Sequence, residues 1–222
     1  MKNTTLTPIF RPAFTMIELT FVIVVLGILA SLAVPRLEND HSQAGADNIL
    51  SHIRYTQHLA LTDNKHQFND PQWQRRFWRI MFGPCADKGI FFRIGSDDDN
   101  SGGGFTEAES TLSPSDGKVL FLANNADCQN DVTVSKDILL YKNFGITAVT
   151  ASGGTGGCTG VNIGFDNWGR PHSGFANSTE PNYASIMTIP CTFTFTLSDE
   201  TTFAITIQPE TGYAQIVGQD DS

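Results

Sequence analysis

The stretch AFTMIELTFVIVVLGILASLAVP, Ala13 to Pro35, carries one charged residue, Glu18, and from Leu19 to Val34 none at all. A helix from Phe14 to Val34 would be about 30 Å long at about 1.5 Å per residue, enough to cross a hydrocarbon core. Ahead of it lies a short polar segment, positive through Lys2 and Arg11. The positive end of such a span stays cytoplasmic, so the rest of the chain is expected to face outward. A secretory signal has a shorter apolar region with no acid inside it. A core helix this apolar all round would have no polar face for water. A plain membrane anchor explains the length but not Glu18. A carboxylate within a membrane costs at least about 2.5–3.5 kcal/mol, and such groups usually have a partner and a function. Glu18 is therefore a candidate functional residue, set against an acid tolerated near the interface.

The same residues resemble the class III signal of type IV prepilins and type II secretion pseudopilins. In that family a prepilin peptidase cuts before a Phe-Thr-x-Ile-Glu-Leu sequence and methylates the new terminal Phe. The resemblance implies cleavage between Ala13 and Phe14, with Glu18 as the fifth mature residue and Pro35 at the position where many members kink the helix. Ala13 stands where the family almost always has Gly. The implied organisation is a leader over 1–13, a transmembrane or filament-core helix over 14–35, an amphipathic continuation over 36–70 and a periplasmic β-rich head over 71–222. The implied location is the inner membrane, single-pass, with the head in the periplasm. Implied partners are the prepilin peptidase and other pseudopilins or pilins in a hetero-oligomeric filament. The amine created at Phe14 is mostly protonated near neutral pH. Glu18 then pairs with the Phe14 amine of an adjacent subunit, and the penalty for leaving either charge buried alone favours one axial register.

After Pro35 the sequence turns amphipathic. Leu37, Ala44, Ala46, Ile49, Leu50, Ile53, Leu59 and Leu61 recur at helical spacing with charged residues between them. One long helix is expected from Phe14 to Thr62, weakened modestly by Gly45 and ended by Asp63, Asn64 and the Pro71 region. The remainder reads as β-rich. Strand candidates are Trp73–Phe82, Ile90–Ile94, Lys118–Leu122, Ile138–Tyr141, Val161–Phe165, Cys191–Ser198, Thr202–Gln208 and Tyr213–Val217. Alternation is cleanest in CTFTFTL, which places Phe193, Phe195 and Leu197 on one face, and in the next run through Phe203, Ile205 and Ile207. The expected class is α+β, an antiparallel sheet laid on the second half of one helix.

The C-terminal half carries a second resemblance. VNIGFDNWGRPHSGF and then CTFTFTLSDETTFAITIQPETGYAQIV resemble the GspH/FimT-type minor pseudopilin domain, with Phe165, Gly169, Arg170, Pro171, Thr211 and Gly212 at the family's motif positions. Tyr213 stands where that family commonly has Arg, and Asp220 and Asp221 follow. Relatives that take up DNA use basic residues in this tail, so the departure speaks against nucleic acid. So does composition: 23 acidic residues stand against 14 basic ones, a net charge of −9, whereas nucleic-acid binders need a basic surface to displace counterions.

One loop has metal-ligand spacing. In SDDDNSGGGFTEAES, counting Asp98 as the first position of a calcium loop puts Asn100 third, Gly103 sixth, Gly104 seventh and Glu109 twelfth. Gly102, at the fifth position, offers no side chain, and Asp97 or Asp99 can stand in. The alternative is a solvated acidic loop. The cysteines Cys85, Cys128, Cys158 and Cys191 contain no C-x-x-C pair, which argues against a zinc ribbon. An oxidising compartment favours two disulfides. Of three connectivities, Cys85–Cys128 with Cys158–Cys191 closes local loops and is favoured.

No G-x-S-x-G, H-E-x-x-H or Walker pattern occurs, and no two of His41, His52, His58 and His66 stand at i,i+4. The chain is not expected to be an enzyme. Three functions are weighed: a minor pseudopilin of a type II secretion pseudopilus, a minor pilin of a type IV pilus, and a DNA-uptake receptor, the last disfavoured by the acidity and Tyr213.

Overall fold

A computed structural model describes residues 15–128 and 132–219, and for residues 31–40 the backbone alone. The chain divides into two compact units, Met1–Asp40 and His41–Ser222. The helix α1 runs from Met16 to Thr62. Around its first turns every described side chain is exposed: Met16 is 88 % exposed, Phe21 71 % and Leu29 57 %.

The expected location is overturned. Among the described residues no helix is long and apolar enough to cross a membrane. The apolar part of α1 whose side chains are described, 16–30, spans about 22 Å at about 1.5 Å per residue, against about 30 Å of hydrocarbon. The chain is therefore not read as a single-pass inner-membrane protein with a periplasmic head.

In the second unit, α1 buries Ala46, Ile49, Leu50, Ile53 and Ala60 along one face, the spacing of a helix with one covered side. Ala44 and Leu61, expected on that face, are exposed. Gly45 has a packing reason. A Cβ there would lie 3.1 Å from both Ile146 and Phe144, so the missing side chain lets the helix approach its neighbours closely. The helix ends where Asp63 donates its N–H to the Leu59 carbonyl.

Against this helix stand two antiparallel four-stranded sheets rather than one. The first holds β1 (Trp78–Pro84), β2 (Ile90–Gly95), β4 (Asn162–Phe165) and β5 (Pro171–His172) in the order β2-β1-β4-β5. The second holds β3 (Ile146–Ser152), β6 (Cys191–Leu197), β7 (Thr202–Ile207) and β8 (Ala214–Ile216) in the order β3-β6-β7-β8. The class is α+β, with antiparallel sheets and a few helices. The alternation in β6 sets its burial: Phe193, Phe195 and Leu197 are buried and the threonines between them are half-buried. The inner faces share one core. Phe82 of β1 lies 5.5 Å from Phe193 and 5.3 Å from Phe195 of β6, ring centre to ring centre, a spacing at which aromatic pairs attract beyond their buried area.

Several expected strands take other forms. Trp73–Arg76 is a 3-10 turn ahead of β1. Ile138–Tyr141 is not extended: a 3-10 turn covers Lys136–Ile138 and a short helix, α2, covers Leu140–Phe144. The Ser135 hydroxyl accepts the Asp137 N–H and starts that turn, as serine does at helix starts. Lys118–Leu122 makes only isolated bridges, Val119 pairing with Leu112 and Val134. The unexpected strand is β3. Only its first residue, Ile146, is buried, so it lacks the apolar alternation that marks β6.

Both disulfides form in the favoured pairing. Cys85 at the end of β1 joins Cys128, and Cys158 ahead of β4 joins Cys191 at the start of β6. The second bond ties the segment leading into one sheet to strand β6 of the other. Its closed loop of 33 residues corresponds to about 4 kcal/mol in the loop-entropy account. Replacing Cys158 and Cys191 together by serine is expected to lower the urea unfolding free energy by about that amount and to raise the denaturant slope, because the freed denatured chain is less compact.

Candidate functional site

Two places gather the residues singled out in the sequence: the start of α1 and the acidic loop after β2. Ala13 and Phe14, the expected processing residues, lie outside the described residues, as do Asp220 and Asp221. Pro35 lies within the helical backbone of α1. Glu18 is described, and its contacts are local. Its Oε2 accepts the Thr15 N–H at 3.2 Å and the Thr15 hydroxyl at 3.1 Å, while the Thr15 hydroxyl accepts the Glu18 N–H at 3.3 Å. This is a reciprocal cap. Helix starts leave N–H groups without partners, and Thr-x-x-Glu satisfies two of them. The motif stands openly in TMIE, Thr15 to Glu18, ahead of an apolar run. The same acid sits favourably at the positive end of the helix dipole. A carboxylate has more acceptor sites than Thr15 fills, so capping leaves Glu18 able to receive a further donor.

The acidic loop is built differently from the expected calcium loop. Carboxylate oxygens of Asp97, Asp99 and Glu109 lie within 4.8 Å of one another. Asp98 and Asn100 turn elsewhere. Asp98 accepts Lys65 Nζ at 3.0 Å and the Ser96 hydroxyl at 2.8 Å. The Asn100 side chain donates to Asp70 at 2.9 Å. The Gly104 carbonyl accepts Arg79 Nη2 at 3.4 Å. Glu109 closes a second capping box with Thr106 and accepts the Asp99 N–H at 3.1 Å.

The residue that organises the loop is Arg79 of β1, which the sequence reading missed. Arg79 and Asp97 are both fully buried, with Nη2 3.5 Å from the carboxylate. Nη2 also donates to the Arg75 carbonyl at 2.7 Å. The rings of Phe105 and Phe175 lie 5.7 and 5.5 Å from the guanidinium carbon, close enough for cation–π attraction. Burial lowers the Arg79 pKa to about 10, against the pull of Asp97, so it remains charged at neutral pH. Burial also raises the Asp97 carboxyl, helped by neighbouring Asp99, while the Gly102 N–H and Arg79 oppose the rise. Calcium takes six to eight oxygen ligands. The three assembled carboxylates fit such an ion only in part, because a guanidinium already supplies positive charge and engages the Gly104 carbonyl.

The motif around Gly169 is equally local. The Gln57 amide of α1 donates to the carbonyls of Gly169 and Thr211, each at 2.8 Å. The two turns of the second resemblance therefore meet on one helix side chain. Gly212 has a φ of +66°, and a Cβ on it would collide with the Gly169 carbonyl. Arg170 is not a free basic group: its Nη2 lies 2.7 Å from Asp166. Asp166 also accepts the N–H groups of Trp168 and Arg170 at 2.9 Å each and stands 3.3 Å from His172 Nε2. His172 Nδ1 lies 2.8 Å from the Ser185 hydroxyl, which donates to the Asn182 carbonyl at 2.6 Å. Ser, His and Asp thus stand in line, but all three are buried and the serine proton is committed to a carbonyl. The arrangement is a brace between β4, β5 and the turn Tyr183–Ser185.

Burial alone would raise the Asp166 pKa, but hydrogen bonds from His172, Arg170 and the Trp168 N–H outweigh it and hold the group at about 2. A carboxyl depressed by folding stabilises the protein above its unfolded pKa of about 3.9, and that contribution is lost as pH falls toward 2. Asp166→Asn is expected to be less stable at pH 6 and to lose less stability than the parent between pH 4 and pH 2. Parallel acid unfolding curves would detach Asp166 from this behaviour. Arg79→Met removes one member of a buried pair and should cost about 3–5 kcal/mol. Calcium should raise the Tm of that variant more than that of the parent; equal responses would mean that Arg79 does not neutralise the acidic cluster.

Compared with protein-family models, with curated proteins and with solved structures, the chain matches none.

Proposed function

We propose that this chain is a structural filament subunit, a minor pseudopilin of the type II secretion kind, with a pilin-like division into a helical stem and a β-rich head. One observation carries the reading: the apolar side chains of α1 over 16–30 are exposed on every side of the helix. Apolar side chains exposed all round a helix raise its free energy until apolar surface covers them. The occupant with matching chemistry is the equivalent helix of a neighbouring subunit. Glu18 is the only ionisable residue in that stretch. Inside such a bundle its carboxylate needs a cation, and the amine of a processed Phe14 on the adjacent subunit supplies one. Thr15 keeps the carboxylate at the helix start in the meantime. In this reading the prepilin peptidase creates the partner charge, and assembly is driven by apolar burial and registered by one ion pair.

The capping role and the pairing role of Glu18 are separable. Thr15→Ala removes the cap, worth about 0.5–2 kcal/mol, and leaves the carboxylate. Glu18→Ala removes both. Under the proposal Glu18→Ala is processed and methylated as usual, by mass spectrometry, but enters filaments about tenfold less, while Thr15→Ala enters nearly normally. Equal incorporation of Glu18→Ala and the parent, scored by immunoblot of sheared filaments, would sink the pairing role.

A further inference from the structure

His52 of α1 is buried, and its ring centre lies 4.8 Å from that of Phe92. Its Nδ1 lies 2.8 Å from the Asn48 carbonyl, one turn earlier. A carbonyl can only accept, so Nδ1 carries the ring proton, and in the neutral ring Nε2 keeps its lone pair. Burial lowers the pKa of the ring, against the Asn48 carbonyl, Asp137 and Asp116, so the neutral form prevails at neutral pH. Among the described residues no donor reaches Nε2. A carboxylate faces it instead: Asp137 Oδ2 stands 3.7 Å away.

Asp137 belongs to the 3-10 turn Lys136–Ile138. Its Oδ2 accepts the Ser115 hydroxyl at 2.5 Å and the Ser113 hydroxyl at 2.7 Å. Burial would raise the pKa of this carboxyl, but the two serines and the His52 ring outweigh it, so the group is ionised. His52, Asp137, Ser113 and Ser115 line a space of about 210 Å³, room for several waters at about 30 Å³ each. Tyr55 lines it too, but its hydroxyl is turned to Thr111 and the Leu112 carbonyl.

Two electron-pair donors therefore stand 3.7 Å apart, and the distance discriminates between cations. Zinc binds imidazole nitrogen and carboxylate oxygen at about 2.0–2.2 Å, and an ion at those distances from both atoms sees them at about 120–135°, opened slightly from tetrahedral. An ammonium nitrogen at about 2.8–3.0 Å would see them at about 75–85°, too narrow for its N–H directions. The ring also has the support that metal-binding histidines have: its second nitrogen donates to a backbone carbonyl, which fixes tautomer and orientation. Imidazole beside carboxylate suits zinc, whereas calcium and magnesium prefer oxygen alone.

We propose that His52 Nε2 and the Asp137 carboxylate form a binding site for a zinc-type divalent ion, with water from the adjoining space in its remaining positions. Closed structural zinc sites take four protein ligands, so a site with two is exchangeable. The ion bridges α1 and the turn Lys136–Ile138, and its binding stabilises the folded chain. The site uses none of the residues of the acidic loop, and the inference does not depend on the filament reading.

The test uses the full chain with nitrogen-15 in its histidine rings, titrated with zinc chloride near neutral pH and followed by NMR. The His52 ring is assigned in the parent by through-bond correlation to its own backbone. Its Nε2 signal should move and saturate at micromolar zinc, and the Tm should rise. Magnesium at the same concentration should move no ring nitrogen. By calorimetric titration, His52→Gln and Asp137→Asn should each bind zinc about tenfold more weakly or worse. A His52 Nε2 signal indifferent to millimolar zinc would overturn the proposal, and this reading needs no variant to fold. Movement confined to His41, His58, His66 or His172, an equal response to magnesium, or unchanged zinc affinity in a folded Asp137→Asn would overturn it too.

Discussion

A sheet with an apolar face must cover it, and here two sheets and one helix face cover one another. Phe82 shows the constraint at a single residue. It belongs to the first sheet and contacts Phe193 and Phe195 of the second. Cores are close-packed, so a side chain shared by two layers ties the position of each to the other. The disulfide from Cys158 to Cys191 spans the same division covalently. Among the described residues, the α1 side chains in this core run from Ala46 to Ala60. Over 16–30 the described side chains are of the same apolar kind and are exposed. One helix thus carries two unlike halves, and the unlikeness is the physical basis of the proposed assembly.

Charge is handled by enclosure rather than by dispersal. Arg79 lies beside the rings of Phe105 and Phe175 with its charge against Asp97, whose carboxylate gathers with those of Asp99 and Glu109. Asp166 collects Arg170, His172 and two backbone N–H groups. Each carboxylate is stabilised by donors that the fold supplies at short range, and each would be costly if one partner were removed.

Much of the outline was legible in the residues. The long helix follows from an unbroken run of helix-compatible apolar residues continued by an amphipathic one, and it is observed from Met16 to Thr62. The paired strands β6 and β7 follow from strict alternation, with Phe195 opposite Phe203 as the pattern requires. Other parts were obscured for identifiable reasons. β3 is nearly all small and half-exposed residues, so it has little apolar signal. Leu139 and Leu140, within an expected strand, are instead buried in a turn and a helix, because a short apolar run does not distinguish strand from helix. In the acidic loop, spacing placed Asp98 and Asn100 at ligand positions, but Lys65 and Asp70 offered them partners from a distant segment.

The sequence by itself determined which segments are apolar, where the chain turns, and that Glu18 stands alone at the head of an uncharged run. These are local properties, set by side-chain chemistry and backbone preference. Only the tertiary structure decided that Arg79 is buried against Asp97 of the acidic loop and that Gln57 joins the turns at Gly169 and Thr211. Those meetings join residues far apart in the chain, and only close packing of the sheets and helix brings such groups within hydrogen-bond or ion-pair distance.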